Sequence, residues 1–373
     1  MLGGKLALIG LFCALALPVM VPHTAMAGGT DSGTDIDNTA TLDYQVAGID
    51  QTQLSSFVTF KVDNKVDLTV VTQDAGEVQV TPGSLFGDGV YNVLHFRVTN
   101  NGNTAQDCSL SVVTVATGGA AKFGGTDAFN MTPEPVPDAR IFVNSVMDVA
   151  GSYDNGTDTD NYVDELPPDS FFEVFVVLDA PLAAADGEIA SYHLVAAVHD
   201  AGAAGSLGAL TTADTGAWAS GTVQVVFADG AGTAAGDGQY DGKHSDQDDY
   251  EAASADLSIT KSSAVVSDPF SASNPKAIPG ATIRYTIDIA NIGGTDAQAV
   301  ITVDEIPANT TFGSGSVTTS NSNGGATLTV EYSDDGVAWS GSETSPVAYI
   351  RVTNSVVDAT NGTAQITFDV TVD

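Results

Sequence analysis

Carboxylates dominate the chemistry open to this chain. Two clusters stand out: Asp148, Asp154, Asp158 and Asp160 followed by Asp164 and Glu165, and Asp237, Asp241, Asp246 and Asp248. Calcium takes six to eight oxygen ligands, and close carboxylates carried on Gly-broken turns supply them while the ion cancels their repulsion. These residues are the calcium candidates, although neither stretch completes the twelve-residue DxDxDG…E loop. The competing reading is solvated acidic turns in a chain that carries 38 Asp. No cofactor other than calcium is implied.

Other chemistries find less support. His193 and His199 share one strand face, but six residues at about 3.3 Å each set them about 20 Å apart, too far to ligate one ion. His95 alternates with Leu94 and Phe96 and reads as a half-buried structural residue. No HExxH or CxxC spacing occurs, which argues against a transition-metal centre. No serine sits in a GxSxG elbow. Cys108 falls in an alternating run and reads as a small buried side chain. The Gly-rich stretch 201–205 has no Lys-Ser/Thr after it, so a phosphate loop is not supported. Trp218 and Trp339 sit among small or polar residues and read as core or strand-edge packing rather than a sugar platform. The chain therefore reads as non-enzymatic.

The elements that would position these residues are strands. Period-two alternation runs through 39–46, 57–62, 66–71, 91–99, 109–115, 171–178, 192–198, 221–227, 283–289, 299–303, 326–332, 347–352 and 364–372. Gly, Asn, Asp and Pro clusters separate the runs, and helical periodicity is absent. The expected class is all-β, as tandem immunoglobulin-like antiparallel β-sandwiches.

A repeat sets the organisation. Residues 67–113 and 256–303 both run Asp-Leu-(Thr/Ser), a variable loop, Pro-Gly, an alternating strand ending in Asn, a Gly turn, then Ala, Gln and a second strand. Repetition of a β unit points to a modular protein. Four parts follow: a signal peptide over 1–27, a leader and strand pair over 28–65, a first sandwich over 66–252 with the acidic loops, and a second over 253–373. The acidic stretch 231–255 shows no strong alternation and reads as the joint between the sandwiches.

Export is expected from the N-terminus. Lys5, an apolar run over 6–21 and Ala25-Met26-Ala27 form a secretory signal cut after Ala27. Pro18 and Pro22 and the short run disfavour a single-pass anchor, and no other span is expected in the mature chain. One cysteine then remains, too few for an intramolecular disulfide. The chain carries 47 acidic and 11 basic residues, a formal net charge of −36. Such a surface repels nucleic acid and attracts cations; adaptation to salty water is the alternative. With 43% hydrophobic residues the chain still has material for packed cores.

The second repeat carries a resemblance. Ala255-Asp256-Leu257-Ser258-Ile259-Thr260-Lys261-Ser262, Pro279-Gly280, Tyr285-Thr286-Ile287-Asp288-Ile289-Ala290-Asn291-Ile292-Gly293 and Val303-Asp304-Glu305-Ile306-Pro307 occur in order, and over about 120 residues the chain resembles the repeat family called domain of unknown function 11. That resemblance implies an immunoglobulin-like module of prokaryotic cell-surface proteins, with no common activity. The first repeat keeps Asp67-Leu68-Thr69, Pro82-Gly83 and Thr99-Asn100-Asn101-Gly102 but lacks the DxxP ending.

The resulting expectation is an exported, non-catalytic surface or extracellular structural protein, with itself or other surface proteins as partners. Self-assembly into a filament or sheath by donation of residues 28–46, with their strand over 39–46, is one reading of the N-terminus. A local hairpin with 57–62 across Gly48-Ile49-Asp50 is the other. An adhesin that presents loops to sugar or protein is the alternative function.

Overall fold

The computed structural model describes residues 29–89, 91–271, 273–343 and 346–373. The expected signal and its cleavage site lie outside them. Regular structure among the described residues is strand, apart from two short 3-10 turns.

The chain opens with a hairpin: β1 (Asp35–Leu42) and β4 (Leu54–Lys61), joined at the tip by β2 (Gln45–Val46) and β3 (Ile49–Asp50). The first sandwich follows, as β5 (Asn64–Val66), β6 (Leu68–Thr72), β7 (Val78–Val80), β8 (Asn92–Asn100), β9 (Gln106–Thr114), β10 (Ile141–Val143), β11 (Tyr162–Leu166), β12 (Phe171–Leu178), β13 (Ile189–Asp200), β14 (Val225–Phe227) and β15 (Lys243–Ala252). The second holds β16 (Leu257–Ser267), β17 (Thr282–Asn291), β18 (Ala297–Glu305), β19 (Thr310–Phe312), β20 (Thr318–Asn321), β21 (Leu328–Ser333), β22 (Tyr349–Val357) and β23 (Gly362–Val372).

In the first sandwich a sheet ordered β10-β12-β8-β6 faces one ordered β11-β9-β13-β15-β7. In the second, β16-β17-β23-β19 faces β18-β22-β21. Alternation puts Leu94, Phe96 and Val98 of β8 and Leu194, Ala196 and Val198 of β13 into one core, and Ile287, Ile289, Ile366 and Phe368 into the other. Each fully buried Val, Leu, Ile or Phe contributes about 1.5–3 kcal/mol of hydrophobic stabilisation. That burial does the work that disulfides do elsewhere. Cys108, the one described cysteine, is free and buried in β9.

The repeat is a repeat of structure. Gly83 and Gly280 of the two Pro-Gly turns both have positive φ, 86° and 85°, which the third residue of a type II turn requires. Asn100 and Asn291 lock the same turn twice. Each side-chain amide donates to a carbonyl four residues on, Thr104 or Thr295. It also donates to Leu166 in the first sandwich and Val357 in the second, and each side-chain oxygen accepts from the Gly two residues on. A Cβ on Gly102 would sit 2.4 Å from the Lys65 carbonyl, and one on Gly293 2.3 Å from that of Ser254.

The stretch read as a joint departs from expectation. Residues 243–252 form β15, an interior strand of the five-stranded sheet, paired with β13 and β7. Three of its inward positions, His244, Asp246 and Asp248, are polar, and only Tyr250 and Ala252 at its end are not, so hydrophobic alternation did not mark it. The second departure is β16, which runs to Ser267 where a variable loop was expected.

Candidate functional site

The acidic clusters are taken up largely in holding backbone. In the first, Asp158 is buried and its two oxygens accept the N–H groups of Ser145 and Asp154 at 3.0 and 2.8 Å. Asp154 accepts from Gly156, and Asp148 from Phe171. The Asp160 carbonyl accepts from Val143, while its side chain is exposed. Asp164 accepts from Gly205, and Glu165 sits in a bulge of β11 with φ 45° and donates its N–H to Asp107. In the second, Asp241 accepts from Gly238 and Lys243, and Asp246 and Asp248 point from β15 toward β6. Among the described residues no three His, Cys, Asp or Glu side chains are grouped to hold a metal ion. Within the expected set, both oxygens of Asp237 and Oδ1 of Asp164 are buried without a hydrogen bond.

β15 closes an edge that sheet pairing leaves open. Its His244, Asp246 and Asp248 alternate on one face and meet β6: Val70 N–H donates to His244 Nδ1 at 3.0 Å, Thr72 N–H to Asp246 at 2.9 Å, and the Thr72 hydroxyl to Asp248. Lys122 pairs with Asp246 at 2.6 Å. Burial and the facing Asp74 carboxylate push the Asp248 carboxyl up to about 8. A second buried carboxyl is treated oppositely. Burial raises Glu173, but hydrogen bonds from His95 and Arg97 outweigh it and hold the group below its usual range. His95 is thus structural, as its alternation implied. Buried Asp107 and Asp229 accept backbone N–H groups of loops far off in sequence, and no local pattern marks either. The Cys108 thiol is pushed well up by burial, then by Asp107.

The aromatics divide. Trp218 is exposed and meets Phe60 edge-on, while Arg351 covers Trp339 at 4.4 Å. A shallow cleft of about 350 Å³ is lined by Asp74, Tyr91, His95, Tyr153 and Phe175.

The longest run of exposed apolar side chains lies on the N-terminal hairpin. β1 and β4 pair locally over eight residues, from Asp35↔Lys61 to Leu42↔Leu54. One hairpin face carries Ile36, Asn38, Ala40 and Leu42 beside Phe60, Val58, Ser56 and Leu54, apolar but for Asn38 and Ser56. The other carries Asp35, Asp37, Thr39 and Thr41 beside Lys61, Thr59, Phe57 and Ser55. Leu42, Leu54, Val58 and Phe60 are all exposed, as are Tyr44, Val46 and Ile49 toward the tip. The hairpin touches the first sandwich near its base, where Lys61 N–H donates to Ser220 and Phe60 meets Trp218.

Comparison with known proteins adds little. No family model matches the chain, and no curated protein does. Among solved structures it is similar to the full-length RrgB pilus protein of Streptococcus pneumoniae, with 12% identity and a TM-score of 0.21 over 84% of this chain and 45% of that one. This chain thus spans less than half of that pilus protein. It is also similar to a chain of Corynebacterium diphtheriae described as membrane anchored, with 11% identity and a TM-score of 0.19 over 90% and 88%. Scores this low carry nothing about function. Among the described residues no helix is long and apolar enough to cross a membrane.

Proposed function

We propose that this protein is a non-catalytic structural component of a prokaryotic cell surface and that it associates with copies of itself. One observation carries the reading: the amphipathic hairpin β1/β4, whose apolar face is left in solvent. Two strands alone are marginal in water, and an exposed apolar face with free edges is costly unless something covers it. The rest fits a structural part. Two sandwiches of one repeated plan lie in series, and buried carboxylates hold loops rather than converge on a cleft.

Electron microscopy and light scattering of the purified full chain test the proposal. Fibres or ordered sheets are the expected result. A monodisperse monomer at high concentration and at every salt concentration would overturn it.

A further inference from the structure

The two sandwiches share a plan, and the second has no counterpart of β13, β15 and β7 of the first among the described residues. Matching their sheets pairs β6 with β16, β8 with β17, β9 with β18, β11 with β22 and β12 with β23. The doubled Asn100/Asn291 turn fixes this correspondence. In the first sandwich β13 pairs along the edge of β9, and β15 follows it and closes over β6. In the second, β18 pairs only with β22, so the edge that β9 gives to β13 is unpaired among the described residues.

Burial shows the consequence at matched positions. Leu68 and Val70 of β6 are each 1% exposed, whereas their counterparts Leu257 and Ile259 of β16 are 43% and 64% exposed. The latter two still face the core, because they lie directly across from buried Asn291 and Ile289. The core of the second sandwich is therefore open along the seam between β16 and β18. A groove of about 720 Å³ lined by Leu182, Leu257, Val300 and Ile301 leads into it.

The chain holds a pair of strands that fits, held to the first sandwich only near its base. β1/β4 precedes β6 as β13/β15 precedes β16, and the two junctions share a backbone bond at the matched position. Asn101 N–H donates to Asp67 as Ile292 does to Asp256, while the next bond shifts by one residue, from Asn103 to Lys65 in the first and from Thr295 to Ser254 in the second. Each hairpin thus stands just upstream of one sandwich, but only β13/β15 has a sandwich behind it to complete. We infer that the β1/β4 hairpin of one copy completes the second sandwich of the next. β1 pairs along the free edge of β18, and the apolar face of β4 covers Leu257 and Ile259.

Charge agrees. The apolar face of the hairpin has no ionisable residue, and the one cation of β16, Lys261, is already neutralised by Asp304 of β18, so the seam between them offers no uncompensated charge there. Asp35, Asp37 and Lys61 lie on the opposite face and stay in water. The contact is heterologous, so repetition gives a filament rather than a closed dimer.

This inference rests on the self-association proposed above, and two full-length variants separate them. Leu42→Asp with Val58→Asp charges the hairpin face, and Ile259→Asp charges the seam. All three side chains are exposed in the single chain, so melting close to wild type is expected and shows that each variant is folded. Each variant alone should be monomeric by light scattering at concentrations where wild type forms filaments. Mixed one to one they should form a heterodimer and stop there, since one good hairpin and one good seam remain. Filaments from either variant alone, or a mixture that stays monomeric, would remove the hairpin from the contact while leaving self-association standing. A wild-type chain that never associates would remove both.

Discussion

Asp248 shows how a single residue answers to its surroundings. Between the ordinary carboxylate pKa near 4 and the value of about 8 to which burial and Asp74 push it, the folded chain holds a proton that the unfolded chain has lost. Stability therefore falls as pH rises through that window and levels off above it. Asp248→Asn removes the charge and keeps the size. The variant should melt several degrees above wild type at pH 8, with the gap closing toward pH 5. An equal gap at both pH values in thermal melts would place the effect elsewhere. Asp248 was legible in the sequence as a carboxylate in a crowd. Its role was not, because Thr72 at the end of β6 and Asp74 just after it are far away in sequence.

At the scale of elements, the Asn-x-Gly turn was readable because its hydrogen bonds stay mostly local. The amide of Asn291 spans a few residues to Thr295 and Gly293, and one bond reaches Val357. Asn291→Ala would leave a buried N–H and carbonyls without partners, at about 1–3 kcal/mol each. Calorimetry should show the second sandwich melting at lower temperature while the first is unchanged; Asn100→Ala should do the reverse. A shift of both transitions together would mean the sandwiches do not melt independently. β15 was missed for the opposite reason. Its inward His244, Asp246 and Asp248 are satisfied by the edge of β6, a tertiary circumstance that turns a polar run into an interior strand.

At the scale of the molecule, charge and assembly are coupled. Copies of net charge −36 repel one another, while the proposed contact is apolar and its Lys261 is paired with Asp304. Raising salt from 0.1 to 1 M shortens the screening length from about 10 to 3 Å. The concentration needed for filaments should fall accordingly, as light scattering across a salt series can measure. A rise with salt would point instead to a contact built on ion pairs.

Alternation, turn chemistry and the doubled motif determined the all-β class, the two sandwiches and most of their strands, because side-chain period and turn conformation are local properties. The local hairpin over residues 35–61 was one of two readings open in the sequence, and the structure pairs those strands with each other. Only the tertiary structure decided which faces are covered. Leu68 and Leu257 occupy the same place in the repeated motif, and no feature of either segment tells them apart. One is buried and the other is not because β15 lies over the first and no strand of the described chain lies over the second.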